Sequence, residues 1–210
     1  MAEKPQTKPV IGLVGGIGAG KSTVGGELAR IGCALVDADA IGHELLSDPQ
    51  IARTLRHRWG EAIFTDDGGV DRAALGKFAF ADPAELSVLN SILHPAIGEK
   101  LAESIRRALA DASVPAVAVD AAVLFEAGWN DMCTQVVFVD APDELRFDRV
   151  HRDRGWNKKK WIQREKAQIS LDKKRRLCDY TIVCSSSVSH LREQVRELYF
   201  RFIHVVDCPE

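Results

Sequence analysis

With 210 residues, 46% of them hydrophobic and 28% charged, the chain fits one large globular domain or a core with insertions. A formal net charge of -2 gives no overall bias toward nucleic acid or an anionic membrane. No apolar run reaches the roughly 18 residues of a membrane helix. The opening stretch MAEKPQTKP lacks the apolar segment of a secretion signal. A flexible arm over residues 1–9 and a cytoplasmic protein are therefore expected. The five cysteines, Cys33, Cys133, Cys178, Cys184 and Cys208, form no C-x-x-C pair, and a scattered odd set reads as incidental thiols rather than a disulfide framework.

The first element is an apolar strand, Val10 to Val14. It runs into GGIGAGKST, Gly15 to Thr23, and a helix to Ile31 that Gly32 ends. Gly15, four residues and then Gly20-Lys21-Ser22 match G-x-x-x-x-G-K-[ST], in the strand–loop–helix context that the pattern requires. Glycines let backbone N–H groups turn inward around phosphate oxygens, and the helix N-terminus adds its own. Lys21 supplies a charge for the β- and γ-phosphates, and the Ser22 hydroxyl can ligate Mg²⁺. Nucleoside-triphosphate binding by Gly16, Ile17, Gly18, Ala19, Gly20, Lys21, Ser22 and Thr23 is the expectation.

A second strand, Cys33 to Val36, ends in Asp37-Ala38-Asp39. Carboxylates at that end of a parallel strand lie where open sheets bind ligands. Asp37 and Asp39 each suit a hydroxyl-activating base, a holder of water on Mg²⁺, or a cap on a helix from Ala40, and the strand-end position favours the first two for Asp37. Residues 40–112 read as a helical insertion, longer than one crossover, with turns at Ser47-Asp48-Pro49, Asp66 to Gly69 and Asp82-Pro83. His94-Pro95 is expected to break it and to leave His94 at a helix boundary. By local sequence alone a lone histidine there reads as structural.

Pro115 to Asp120 is the third strand, and its terminal Asp is either a metal-side carboxylate or a turn residue. The apolar patch Ala121 to Gly128, with Glu126, is either pocket lining or core. Thr134 to Val139 is the fourth strand. From Arg146 to Arg176 there are 13 Lys or Arg and 4 Asp or Glu, a local charge of 13 − 4 = +9. A lid over polyphosphate, a nucleic-acid patch and a solvated helix face all use such a segment. Trp156 and Trp161 could stack on bases or dock on the core. Tyr180 to Cys184 is the last strand and residues 189–203 the closing helix.

Strand–helix alternation implies a parallel sheet with right-handed crossovers. GLVGGIGAGKST, LVDADAIGHELL, LHP, LFEAG, the basic segment and CDYTIVCSSS follow one another as in the dephospho-coenzyme A kinases, which the chain resembles from about Val10 to Leu198. The resemblance implies an α/β phosphate-loop kinase with a five-stranded parallel sheet. Its core would be about 10–39, 113–145 and 178–210, with a helical acceptor-binding insertion at 40–112 and a basic lid at 146–177. The implied reaction moves the γ-phosphoryl of ATP, with Mg²⁺, to the ribose 3′-hydroxyl of dephospho-coenzyme A. By the same resemblance Asp37 activates the hydroxyl, and His94, Leu124, Phe125 and Glu126 serve the acceptor. Arg149, Arg154 and Arg164 are the lid arginines, with Arg149 catalytic, Arg154 on ATP and Arg164 on the acceptor side. A small-molecule substrate, no nucleic-acid or membrane partner, and a monomer or weak homo-oligomer are expected. The chain departs from the family at Ala122, where the family has Pro. It departs again at Cys184-Ser185-Ser186, where the family has Asn-x-Gly near adenine.

The same loop would also serve a kinase of another nucleoside or nucleotide, and only the acceptor motifs separate the two. A guanine-reading switch protein fits poorly, since Asn157-Lys158-Lys159-Lys160 lacks the Asp of N-K-x-D.

Overall fold

The computed structural model describes residues 8–185 and 187–203. Cys208 and Ser186 lie outside the described residues, as do residues 1–7 of the expected arm. Pro9 is already anchored, because its carbonyl accepts from Val117 N at 3.0 Å.

Two units are distinguished by internal contacts, one from residues 1–37 and 104–210, the other from 38–103. The first holds a sheet of five parallel strands, β1 (Val10–Gly15), β2 (Ala34–Asp37), β3 (Val117–Asp120), β4 (Gln135–Asp140) and β5 (Tyr180–Val183), in the order β2-β3-β1-β4-β5. Parallel neighbours need long connections. These include α1 (Lys21–Arg30), α6 (Asp143–Arg154), α7 (Lys158–Lys166) and α8 (Leu171–Arg176), and α9 (Val188–Phe202) follows β5.

β1 is central and buried along its whole length, which explains its unbroken apolar sequence. Ile11 and Leu13 join Val137, Val139, Ala118, Val24, Leu28, Leu191 and Leu198 in one core. Gly12, on the other side of the pleat, is glycine because a Cβ there would come within 2.7 Å of Leu124 Cδ2 and 3.0 Å of Cys133 Sγ. The register pairs Leu13 with Asp120 and Asp37 with Asp120. The sheet therefore delivers the loop after Gly15, Asp120 and Asp37 to one edge, in that spatial order.

The second unit contains α2 (Ala38–Leu45), α3 (Pro49–Trp59), α4 (Arg72–Ala79) and most of α5 (Pro83–Ala110). Its core is Leu55, Ile63, Leu75, Ala79 and Leu89, with Trp59, Phe64, Ile92 and Leu93 against it. The expected turns carry out their local chemistry. Asp48 accepts from Gln50 N and Ile51 N at the start of α3, and Asp82 accepts from Ala84 N at 2.8 Å at the start of α5; Asp71, outside the expected turns, caps α4 in the same way.

Two expectations fail here. α5 runs without interruption through Pro95, so His94 is a mid-helix, half-buried residue rather than a boundary one. A proline inside a helix costs about 3 kcal/mol. The cost is outweighed because Leu89, Ile92 and Leu93 before it, and Ile97 and Leu101 after it, keep helical spacing and are wholly or partly buried. Likewise α2 begins at Ala38, so Asp39 lies within the first turn instead of capping a helix from Ala40. There it still complements the positive end of the helix.

Candidate functional site

The phosphate loop spans the gap between β1 and α1. Gly18 and Gly20 have φ of 84° and 99°, backbone that a Cβ would strain, and Gly20 directly precedes Lys21 at the helix start. Lys21 is half-buried, while Ser22 and Thr23 are exposed in the first turn. The Ser22 hydroxyl donates to Asp120 Oδ2 at 3.1 Å. Asp120 is 9% exposed, so the sheet fixes a carboxylate under the loop hydroxyl. One strand further out, Asp37 is exposed at the end of β2. The three groups the sequence singled out at strand or loop ends thus converge at one edge.

A cavity of about 320 Å³ opens beside the loop. It is lined by Gly20, Lys21 and Thr23 of the loop and first turn, by Arg149 and Arg154 of α6, and by Cys184, Val188 and Leu191. The lining thus combines polar and cationic groups with apolar side chains. This suits a nucleotide, with phosphates at the loop and a base toward α9. Cys184 stands at the departure from the family motif, and its Sγ would lie 2.6 Å from a Cβ on Gly20.

Arg149 is placed differently from a freely moving lid residue. Its Nη1 donates to the Gly18 and Ala19 carbonyls at 3.2 and 3.1 Å, and its Nη2 to the Cys184 carbonyl at 2.8 Å. The guanidinium ties the loop to the end of β5. Arg152 lines the cavity too and was not singled out by sequence, because its pairing with Asp153 at 2.7 Å leaves no mark in composition. Arg154 and Arg164 lie 5.4 and 5.7 Å from the Trp156 ring, with Lys160 at 5.0 Å. Burial holds the Arg164 guanidinium below its ordinary value.

The apolar motif after β3 divides by residue. Leu124 is fully buried against Gly12, so its side chain serves packing. Phe125 is half-buried. Glu126 Oε1 accepts from Ile169 N at 3.0 Å and pairs with Lys174 at 3.2 Å, while Oε2 is buried without a hydrogen-bond partner among the described residues. Lys174 is 0% exposed, an extreme for lysine, and also donates to the Ala122 carbonyl at 2.6 Å and Gln168 Oε1 at 2.8 Å. Its ammonium therefore joins the 122–126 loop to the far end of the basic segment. Burial pushes it below its ordinary lysine value; Glu126 works against this and the Lys21 charge adds to it. The sequence showed Lys174 only as one of thirteen basic residues, since burial of a single lysine carries no periodic signal.

The basic segment is docked through Trp161, while Ile162 and Ala167 of the same helix region are exposed. Trp161 is 5% exposed and packs with Ile17 and Val150, and with Phe147 and Trp156 beside them. His94, placed by the sequence on the acceptor side, belongs to the helical unit.

The family model for dephospho-CoA kinase matches residues 9–190. The chain belongs to that family. Among its curated relatives, dephospho-CoA kinase of Carboxydothermus hydrogenoformans is 35% identical over 188 residues, covering 89% of this chain and 91% of the relative. That of Idiomarina loihiensis is also 35% identical, over 203 residues, covering 96% and 98%. A solved Thermus thermophilus protein superposes with a TM-score of 0.78 at 28% identity, covering 93% of this chain and 98% of its own. Dephospho-CoA kinase from Campylobacter jejuni gives 0.68 at 22% identity, covering 93% and 97%. The latter likeness speaks for the shared fold. Among the described residues no helix is long and apolar enough to cross a membrane.

Proposed function

We propose that this chain transfers the γ-phosphoryl of ATP to the ribose 3′-hydroxyl of dephospho-coenzyme A, releasing coenzyme A and ADP, the last step of coenzyme A synthesis. The observation that carries this reading is the Ser22–Asp120 contact under the phosphate loop, with Asp37 one strand further along the same edge. It joins the triphosphate-binding group to a place where a hydroxyl can be deprotonated.

Phosphoryl transfer leaves the protein mainly positioning and charge neutralisation. Lys21 and the N–H groups of the loop other than those of Ile17, Ala19 and Thr23, which donate within the protein, hold the polyphosphate. Ser22 and Asp120 form an oxygen donor set that suits a hard cation such as Mg²⁺, whose bound charge would offset that of the phosphates. Asp37 accepts the hydroxyl proton as the O–P bond forms and ADP leaves. Arg149 steadies the loop, while Arg152 and Arg154 face the cavity and add positive charge. Phe125, Glu126, Arg164 and His94 are proposed for the acceptor on the strength of the sequence motifs. A reaction among small polar molecules fits a cytoplasmic protein, monomeric or weakly self-associating.

ADP release with dephospho-coenzyme A, adenosine or AMP as acceptor tests the proposal. Turnover on dephospho-coenzyme A should exceed the other two by at least an order of magnitude, the scale set by a site built around substrate hydrogen bonds. Equal or higher turnover on adenosine or AMP would make this a general nucleoside or nucleotide kinase.

A further inference from the structure

One residue of the phosphate loop is held from outside the loop by both of its backbone polar groups. The Ile17 N–H donates to Glu165 Oε1 at 3.3 Å. The Ile17 carbonyl accepts from Trp161 Nε1 and from Arg146 Nη1, each at 3.3 Å. Glu165 and Trp161 stand one turn apart on α7, and Arg146 belongs to α6. Two helices of the basic segment therefore grip the two successive peptides on either side of the Ile17 Cα.

The grip is backed by buried charge. Arg146 is 2% exposed, and its Nη1 and Nη2 both meet the Glu165 carboxylate, the second at 3.1 Å, while Nη2 also donates to Asp143 at 2.8 Å. Its guanidinium lies 5.0 Å from the Trp161 ring. Burial opposes the charge, but Glu165 and Asp143 outweigh it and hold the group above its ordinary value. A Cβ on Gly16 would collide with the same guanidinium, so the loop runs directly against it.

Gly15, Gly16, Gly18 and Gly20 make this loop glycine-rich, and glycine loses the most conformational freedom when fixed. A loop left to itself would have to be ordered by its ligand. N–H groups preset before the ligand arrives cost no reorganisation at that moment.

We propose that Glu165 is a positioning residue of the phosphate loop: with Arg146 as its buried counter-charge it fixes the peptides on both sides of Ile17, and thereby presets the following N–H groups for the triphosphate. The inference rests on the reading that ATP is the phosphoryl donor. It makes the effect one-sided, confined to the donor.

The test avoids Glu165→Ala alone, which would strand the buried Arg146 charge and threaten the fold. The apolar pair Arg146→Met with Glu165→Leu removes grip and charge together, and Glu165→Gln keeps an amide oxygen to accept from Ile17. Direct binding of a fluorescent ATP analogue, KM for each substrate and the thermal midpoint are measured on the full chain. Losing the two hydrogen bonds should weaken analogue binding and raise KM for ATP about tenfold in the pair variant. KM for dephospho-coenzyme A should stay within about twofold, and Glu165→Gln should restore ATP binding to within about threefold of the parent. Parent-like ATP binding by the pair variant overturns the proposal. So does an equal rise in both KM values, a pair variant that fails to fold, or a Glu165→Gln variant as weak as the pair. If the parent protein binds the analogue but does not phosphorylate dephospho-coenzyme A, the acceptor reading fails and this one stands.

Discussion

Asp37 and Asp120 are register partners at the ends of neighbouring strands, and the protein treats them differently. Asp120 ends β3, which is flanked on both sides, and its carboxylate is buried beneath the Ser22 hydroxyl. Asp37 ends β2, the edge strand, and is exposed. Sequence alone gives both the same signature, an apolar strand closing in Asp. Sheet order sets their surroundings: the interior position holds its acid against the phosphate loop, and the edge position leaves its acid exposed.

The largest expected effect comes from the outer acid. Asp37→Asn should lower turnover on dephospho-coenzyme A by about 10² or more while ATP binding persists, the scale of general-base loss. Near-normal turnover would erase the distinction between the two acids. Asp120→Asn should act on the donor side instead. It keeps an acceptor for Ser22 but loses charge, so the Mg²⁺ concentration for half-maximal rate should rise about tenfold, read from a metal titration at saturating ATP. An Mg²⁺ response identical to the parent's would show that Asp120 serves only the fold.

Arg149→Ala sharpens the comparison, because this residue grips carbonyls of the phosphate loop and of Cys184 just after β5. It should lower turnover by about 10² and also raise KM for ATP, since loop placement and transition-state charge are lost together. A raised KM with an intact maximal rate would assign Arg149 to ground-state binding alone. Away from the edge, Lys174→Met should destabilise the fold by about 3 kcal/mol by leaving Glu126 buried and unpaired, seen in denaturant unfolding. Lys174→Met combined with Glu126→Leu should recover much of that loss.

The smallest effect is alkaline. Burial pushes the Cys133 and Cys178 thiols up to about 12 and Cys33 up to about 11, above the ordinary value of 9.0. Raised folded-state values mean that this contribution to stability is fully present below pH 9 and is lost as pH climbs toward 11–12, since the unfolded chain releases those protons first. The thermal midpoint should fall over that window, and Cys133→Ala should flatten the fall. The same three thiols should resist alkylation in the native protein at pH 8.

The sheet was legible because buried parallel strands read as apolar runs, and β1, β4 and β5 fall within a residue or so of their expected bounds. The loop was legible because its chemistry demands glycines, Lys21 and Ser22 at fixed spacing. The continuous α5 was not, since Pro95 signals a local cost while the burial that outweighs it comes from residues on both sides. The partners of Ile17 were hidden for a related reason: Arg146 and Glu165 lie more than a hundred residues away, and in the sequence they look like ordinary members of a basic tract. Glu126 was seen as a motif residue, but its commitment to Lys174 is a matter of tertiary packing.

Trp161 has a use beyond the packing that seats it. Its indole hydrogen-bonds the phosphate loop directly and lies beside a guanidinium, so its emission colour and intensity are set by surroundings that nucleotide would alter. A version of the protein keeping this as its sole tryptophan would carry a native optical gauge of the loop, reporting each shift without an attached dye.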